Sequence, residues 1–350
     1  MSLGKRKSSR CSMSEKFSLS IEDLHVSYQL SGSAGKNKIA RAVDGVSLQL
    51  HPGETLALVG ESGSGKTSIA NAVMRLLEPT SGKILLDGVD LVPLQGSELR
   101  AMRRNFQMIF QDPFESLDPR QRVIETVMEP LEIHGIGENQ EQRRDLALAA
   151  LAQAGLRPAA DIGDRFTHQL SGGQRQRVAI ASAIILKPSL IIADEPVSML
   201  DVSLRAGILR VMADLRDQLG VSYLFITHDL SLAWMFADRI AVIYLGRIVE
   251  EASAVDLIEN PMHPYTKALV SVIPVPEAIE GASRTILSGE IPSPSSIPSG
   301  CRFHPRCPLF RELGEPEKCL NEDPLLQISA KSESHLVACF FSDPSKGDTQ

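Results

Sequence analysis

The sequence GESGSGKT, residues 60–67, decides the fold of this chain. It matches the pattern G-x-x-x-x-G-K-[ST] of a phosphate-binding loop. The apolar run Thr55–Val59 before it is typical of a buried parallel strand, and apolar residues at helical spacing follow it. Such a loop joins a strand to a helix, so the flanking sequence agrees with the motif. The plainer alternative is a glycine-rich turn before a core helix.

Each part of this loop has a role in holding a nucleoside triphosphate. Gly63 and Gly65 let the backbone N–H groups turn inward, and the helix N-terminus adds partial positive charge. Lys66 would reach the β- and γ-phosphates, and the hydroxyl of Thr67 would hold Mg²⁺. The other residues assigned to ATP and phosphate binding are Gly60, Ser62, Ser68 and Tyr28.

Tyr28 lies on an alternating strand pattern well before the loop. It is a candidate platform on which an adenine ring stacks. A half-buried strand tyrosine explains the residue equally well.

The composition is that of an ordinary globular protein, with 350 residues, 43% hydrophobic and 23% charged. The length predicts about two domains. A net charge of −7 argues against nucleic acid as the main partner. The N-terminus is basic but no apolar segment follows it, so we expect a disordered tail over residues 1–15 and a cytosolic chain, where disulfides are disfavoured.

Polar side chains follow three apolar runs. Asp194 and Glu195 end the run at 190–193, where Asp194 can bind Mg²⁺ and Glu195 can orient and deprotonate the attacking water. Gln111 stands at another strand end and can reach a metal, a water or a γ-phosphate. His228 can donate to a γ-phosphate, although a lone histidine is more often structural.

A second glycine motif, LSGGQ, opens a helix predicted over residues 175–186. Two adjacent glycines at a helix start expose N–H groups to an anion. The motif consists of Leu170, Ser171, Gly172, Gly173 and Gln174.

Taken together, and in this order, the phosphate loop, Gln111, LSGGQ, the acidic strand end, SMLD at 198–201 and His228 resemble the ATP-binding subunits of ABC transporters. The resemblance implies an α/β P-loop NTPase fold with a RecA-like core, an antiparallel β subdomain and a helical subdomain. It places this nucleotide-binding domain at 16–255, its helical subdomain at about 112–185, and a small cysteine-containing C-terminal extension at 256–345.

Finer features are similar to the oligopeptide/dipeptide importer branch. They include MIFQDPFESLDPR and YLFITHDL, and the tail sequences NPMHPYTKALVSVIP and GCRFHPRC. LSGGQRQR and DEPVS are closer to the F-type subunit of that branch. The resemblance implies a peripheral ATPase at the cytoplasmic face of the cell membrane that powers import of peptides or related small solutes. Its implied partners are two transmembrane permease subunits, a second ABC ATPase in a heterodimer and, indirectly, an extracytoplasmic solute-binding protein.

The resemblance also assigns roles to residues. Glu195, His228 and Gln111 would be catalytic, and Thr67, Gln111 and Asp194 would hold Mg²⁺. Ser198 and Asp201 would form the D-loop. Two ATPase domains would face each other head to tail, so the LSGGQ residues would cap the nucleotide of the partner.

The alternative is a non-transport ABC ATPase that acts on nucleic acid or ribosomes. Those proteins usually carry coiled-coil insertions or two nucleotide domains in one chain. This sequence has one phosphate loop and no sustained heptads. A binding module without hydrolysis is disfavoured because Glu195 and His228 are both present.

Four cysteines, Cys301, Cys307, Cys319 and Cys339, follow a proline-containing segment. The options are buried structural thiols, a tetrahedral zinc site or an iron–sulfur cluster. Their spacings of x₅, x₁₁ and x₁₉ differ from the C-x₂₋₄-C pairs of zinc knuckles. Since the family resemblance also implies a [4Fe–4S] centre in this tail, we expect the cluster, with Zn²⁺ as the alternative.

Overall fold

The computed structural model describes residues 17–30, 38–273, 287, 289–329, 332 and 334–342. The predicted tail at 1–15 lies outside the described residues, as do several positions of the predicted extension. Within the described ranges, no helix is long and apolar enough to cross a membrane.

The strands form two sheets. They are β1 (Leu19–Leu30), β2 (Lys38–Leu50), β3 (Thr55–Val59), β4 (Ser81–Leu86), β5 (Val89–Asp90), β6 (Phe106–Ile109), β7 (Leu190–Asp194), β8 (Ser222–Thr227), β9 (Arg239–Tyr244), β10 (Arg247–Ser253), β11 (Gln327–Ile328) and β12 (Leu336–Val337). An antiparallel sheet has the order β2-β1-β4-β5, and a mixed sheet has the order β11-β12-β10-β9-β3-β8-β7-β6.

The helices surround the mixed sheet and fill the segment between β6 and β7. They are α1 (Lys66–Val73), α2 (Gly96–Met102), α3 (Pro113–Ser116), α4 (Val123–Ile133), α5 (Gln140–Gln153), α6 (Ala159–Gly163), α7 (Gly172–Ile184), α8 (Val202–Leu219), α9 (Leu230–Phe236), α10 (Ala254–Glu259), α11 (Pro264–Ser271), α12 (Pro308–Glu312) and α13 (Glu317–Asn321). Short 3₁₀ turns occur at Arg103–Asn105, Thr167–Gln169 and His304–Arg306.

The centre of the mixed sheet is parallel. β3 pairs with β8 and β9, and β7 pairs with β6 and β8, in each case in parallel. Every residue of β3, β7 and β8 is buried, as expected for apolar strands covered on both faces. Because parallel strands end at the same edge, this arrangement brings the residues after β3, β6, β7 and β8 to one side of the molecule. The predicted α/β fold class is confirmed.

Helices α3 to α7 form the predicted helical region. α4, α5 and α7 pack against one another through apolar faces such as Ala147, Ala150 and Leu151 of α5. This region begins just after β6 and ends with α7, whose first residue, Gly172, lies within the LSGGQ motif.

The C-terminal segment joins the central sheet rather than standing apart from it. β12 pairs with β10, with Val337 opposite Glu250. The Glu250 side chain is fully buried and accepts hydrogen bonds from the backbone N–H of Met262 at 2.7 Å and of His263 at 2.8 Å. His335 Nε2 lies 2.7 Å from the same carboxylate. A buried charge thus anchors the start of α11 and the tail to the sheet.

Candidate active site

The phosphate loop wraps as the motif requires. It leaves β3 at Val59 and enters α1 at Lys66, with Gly65 in the left-handed region at φ 107°. A Cβ at Gly65 would lie 2.2 Å from the carbonyl oxygen of Ala42, so only glycine fits there. The ammonium of Lys66 donates to the carbonyl oxygens of Gly60 at 2.8 Å and of Glu61 at 3.0 Å, which holds it beneath the loop.

Lys66 is a buried cation with its charge directed at this loop. Its side chain is almost inaccessible, and burial lowers its pKa, while the carboxylates of Glu195, Asp194 and Glu61 partly oppose that shift. Its ammonium bonds only to neutral carbonyls in the described contacts. An anionic phosphate is therefore a favourable partner for it.

Three of the residues predicted to be catalytic meet at one atom. The Oε2 of Glu195 accepts a hydrogen bond from Nε2 of Gln111 at 3.2 Å and lies 3.0 Å from Nδ1 of His228. Glu195 has φ 45°, an unusual value for a residue with a side chain, and its N–H donates to the carbonyl oxygen of Ile226 at 2.9 Å. This strained conformation aims the carboxylate into the pocket beside the phosphate loop.

Asp194 and Thr67 offer oxygen donors of the kind that Mg²⁺ prefers. Asp194 is buried, and its Oδ1 has no hydrogen-bond partner. Burial raises the pKa of Asp194, whereas a hydrogen bond with Thr67 and the charge of Lys66 lower it. A buried carboxylate oxygen without a partner, beside a hydroxyl, fits a hard divalent cation.

Most of the predicted site residues line one open pocket of about 740 Å³, although Asp194 and Gly60 are not among its lining residues. Its walls include the predicted residues Tyr28, Ser62, Gly63, Gly65, Lys66, Thr67, Ser68, Gln111, Glu195 and His228. The hydroxyl of Tyr28 lies 3.1 Å from Oγ of Ser68, so the tyrosine leans over the start of α1 with its ring half exposed.

The LSGGQ motif lies outside this pocket. Ser171 caps α7: its Oγ accepts from the N–H of Gln174, and its own N–H donates to the Gln174 side chain at 3.0 Å. Leu170 and Gly173 are buried, whereas Ser171 faces solvent and Gly172 is partly exposed. Within one chain, the motif is therefore separate from the phosphate loop.

The D-loop residues follow the acidic strand end directly. Ser198 donates its hydroxyl to the carbonyl oxygen of Glu195 at 3.0 Å. Asp201 precedes α8, and its side chain is exposed. Ser198 thus supports the backbone turn that carries Glu195.

Sequence reasoning missed the residues that the C-terminal segment contributes. Pro294 lines the pocket, and its carbonyl oxygen accepts from the N–H of Arg41 at 3.1 Å. The guanidinium of Arg306 contacts the carboxylate of Glu61, and the hydroxyl of Tyr265 accepts from the Glu61 N–H. These contacts join positions about 200 residues or more apart, so no local sequence pattern predicts them.

The prediction of an iron–sulfur cluster is wrong. Cys301, Cys307, Cys319 and Cys339 all line one cavity of about 20 Å³, which we call the thiol cavity. Yet among the described residues no group of three or more His, Cys, Asp or Glu side chains is arranged to hold a metal ion. The zinc alternative has no support either.

Burial keeps these four thiols protonated. It raises the pKa of Cys301 to about 12 and that of Cys339 to about 11, and it raises the pKa of Cys307 and Cys319 as well. Protonated thiols among aromatic rings behave as small apolar side chains, and the four cysteines pack in this way in the thiol cavity.

The sequence of the chain is similar to families and proteins of known type. A family model described as ABC transporter matches residues 43–198, and a model described as oligopeptide/dipeptide transporter, C-terminal region, matches residues 249–312. A putative peptide import ATP-binding protein of Brucella ovis is 48% identical over 93% of this chain and 98% of its own length. The oligopeptide transport ATP-binding protein AppF of Bacillus subtilis is 41% identical over 92% of this chain and 96% of its own.

Solved structures agree with the fold. A dimeric ATP-binding cassette in a post-hydrolysis state, bound to ADP and Pi, is similar with a TM-score of 0.60 and 30% identity. The similarity covers 67% of this chain and 98% of that one.

Proposed function

Since this chain belongs to the ABC transporter family, in the branch with the oligopeptide/dipeptide C-terminal region, we propose that it hydrolyses ATP to power the import of peptides. The observation that carries the proposal is the convergence of Gln111 and His228 on Glu195, in the pocket of the phosphate loop. The relatives reported above are named for peptide or oligopeptide transport, so nothing favours the nucleic-acid alternative.

Each residue of the pocket has its own role in the hydrolysis of ATP. Lys66 and the loop N–H groups bind the β- and γ-phosphates, and Gly60, Ser62, Gly63 and Gly65 shape the loop. The carboxylate of Glu195 accepts a proton from the attacking water, which makes the water a better nucleophile. His228 and Gln111 keep that carboxylate oriented, and His228 can donate to the γ-phosphate.

Mg²⁺ is the cofactor that the donor set fits. Thr67, Asp194 and Gln111 would hold it, and when bound it would neutralise charge on the phosphates. Tyr28 would stack on the adenine ring, with its hydroxyl positioned by Ser68.

The exposure of Ser171, away from its own phosphate loop, supports a head-to-tail pair of ATPase domains. In this arrangement LSGGQ of one domain caps the nucleotide of the other, and Ser198 and Asp201 lie at the junction. We propose a heterodimer in which this chain is the F-type subunit, bound to two permease subunits at the cytoplasmic face of the membrane. A solute-binding protein delivers the peptide from the other side. The proposed division of the chain is a nucleotide-binding domain at 16–255 and an extension at 256–345.

Two measurements test the proposal. The purified chain should hydrolyse ATP, and affinity purification from membranes of the source cell should recover integral membrane subunits with it. Recovery of nucleic acid or ribosomes in place of membrane subunits would contradict the transport assignment.

Ser171→Arg tests the head-to-tail pair. It should impair hydrolysis of the ATP held by the partner, because a bulky cation then stands where the motif meets the γ-phosphate. ATP binding by the variant chain should stay normal. Loss of its own ATP binding would contradict the arrangement.

A further inference from the structure

The C-terminal extension contacts the phosphate loop at Glu61. Nη1 of Arg306 lies 3.2 Å from Oε1 and 3.1 Å from Oε2 of the Glu61 carboxylate. On the backbone of the same residue, the N–H donates to the hydroxyl of Tyr265 at 3.0 Å. One residue of the loop is thus held by two residues that lie at least 204 positions away.

Both contacts come from rigid surroundings. Arg306 is 8% exposed, and its guanidinium lies 6.0 Å from the ring centroid of Tyr244. Tyr265 is fully buried and meets Tyr244 edge to face at 4.9 Å. Since these side chains have little freedom to move, Arg306 is presented to Glu61 in one position, and little entropy is lost when the pair forms.

The charge of Glu61 gives this pair a consequence for the nucleotide. Glu61 lines the same pocket as Lys66 and Thr67, and its charge acts on the ammonium of Lys66. Two anionic groups in one partly desolvated pocket repel each other. Arg306 offsets the charge of Glu61 without entering the pocket itself, because it is not among the residues that line it.

We propose that Arg306 of the extension is a positioning residue for ATP: it neutralises Glu61 and, with Tyr265, holds the first turn of the phosphate loop. The inference rests on the proposed function, because ATP is the ligand concerned. It makes the extension a part of the nucleotide site through one pair, Arg306 with Glu61.

A set of charge variants tests this. ATP binding to the full-length chain is measured by titration calorimetry with Mg²⁺. Arg306→Gln should weaken binding about five- to tenfold, a modest loss because Glu61 is partly exposed and water screens its charge. Glu61→Gln together with Arg306→Gln should restore affinity to within about twofold of wild type, since the pair is then neutral. Arg306→Lys, which keeps the charge, should bind within about twofold as well.

Arg302→Gln is the matched control. Arg302 is also a buried arginine of the extension, but it pairs with Asp44 of β2 rather than with the loop. This variant loses a docking contact of similar burial, and ATP affinity should stay within about twofold.

Several outcomes would overturn the proposal. A double variant as weak as Arg306→Gln would mean that packing, not charge, is responsible. The same conclusion follows if Arg302→Gln or Arg306→Lys weakens binding as much as Arg306→Gln does. Unchanged affinity in Arg306→Gln would remove the role altogether. Should Arg306→Gln fail to fold, the double variant and Arg306→Lys still decide between charge and packing. Failure of the wild-type chain to bind ATP would instead refute the proposed function.

Discussion

The nucleotide pocket and the thiol cavity differ in volume, polarity and the protonation of their side chains. The pocket measures about 740 Å³, and polar groups from four strand ends face it. The thiol cavity measures about 20 Å³ and is walled by aromatic rings such as Phe303 and Phe310. In the pocket, one oxygen of Glu195 has two polar partners. In the thiol cavity, burial raises the pKa of the thiols, as at Cys301, and so keeps them protonated.

This difference indicates that chemically reactive residue types form a binding or catalytic site only where a cavity can hold a ligand and polar groups surround it. Beside the pocket, a buried carboxylate oxygen of Asp194 is left without a partner, and at the pocket wall the strained backbone of Glu195 is tolerated. Such features persist where function requires them. In the thiol cavity, four cysteines pack among aromatic side chains as part of an apolar core. Substitutions in the pocket should therefore change kcat or ATP affinity, and substitutions in the thiol cavity should change the free energy of unfolding.

The largest effect should come from Glu195→Gln. The change keeps the shape of the residue and one acceptor oxygen but removes the base, so kcat should fall by ~10²–10⁴-fold. ATP binding should persist, and the melting temperature should stay near that of wild type. Steady-state ATPase assays give kcat, and calorimetric titration gives the affinity.

Glu251→Gln is a control for this variant. Glu251 is another buried glutamate, but it lies on β10 and pairs with Arg239 away from the pocket. Its loss should affect stability and leave kcat within about twofold. If Glu195→Gln retains more than a tenth of the wild-type rate, Glu195 is not the base and the contrast between the two regions fails.

Lys66→Ala should have the next largest effect, on binding rather than on rate. A hydrogen bond to a charged group contributes about 1.5–3 kcal/mol, so ATP affinity should fall roughly 10- to 100-fold. Lys83→Ala is the control, because that lysine is exposed on β4 and forms only a surface pair with Glu22. Equal affinity of the two variants in a direct titration would show that Lys66 does not bind phosphate.

Much of the pocket could be predicted because its elements are local. The strand, loop and helix over 55–73 are contiguous, and their glycines and lysine have fixed tasks. Glu195 and His228 directly follow fully buried strands, and Gln111 lies two residues after the half-buried edge strand β6. A parallel sheet gathers such positions at one edge.

What could not be predicted depends on contacts over long sequence distances. The pair of Arg306 with Glu61 spans 245 positions. β11 and β12 have two residues each, too few for a periodic pattern to show. Likewise, the cysteine count gave neither the arrangement of the thiols nor their burial, so the sequence did not distinguish ligands from packing residues.

A smaller effect, confined to stability, should follow from Cys319→Ser. Cys319 is 8% exposed and lines the thiol cavity. A hydroxyl in that apolar surrounding lacks a partner, so the free energy of unfolding should fall by about 1–3 kcal/mol. Cys319→Ala, which adds no polar group, should cost less. Urea unfolding gives both values, and the KM for ATP should be unchanged. Serine tolerated better than alanine would mean that the cavity is polar.

The smallest effect should be a pH dependence of stability at His335, the residue directly before β12. Burial alone would lower the pKa of His335, but hydrogen bonds and charges of Glu250 and Asp256 outweigh it and hold the pKa above its usual value. A raised pKa means that the folded state binds the proton more tightly. The stabilisation is therefore complete below the pKa of the unfolded state, near 6.5, and is lost as pH rises through the higher pKa of the folded state.

His335→Gln removes this pH-dependent stabilisation. The difference in Tm between wild type and variant should therefore narrow by about 1–3 °C as pH rises through the pKa of folded His335. Thermal unfolding at pH values on both sides measures it. His263 also contacts this carboxylate, through its backbone N–H, and burial lowers the pKa of its imidazole to about 4. The pH effect of His263 is the same in wild type and in His335→Gln, so it cancels from the difference in Tm. A gap that widens as pH rises would mean that His335 is neutral in the fold, and would contradict this prediction.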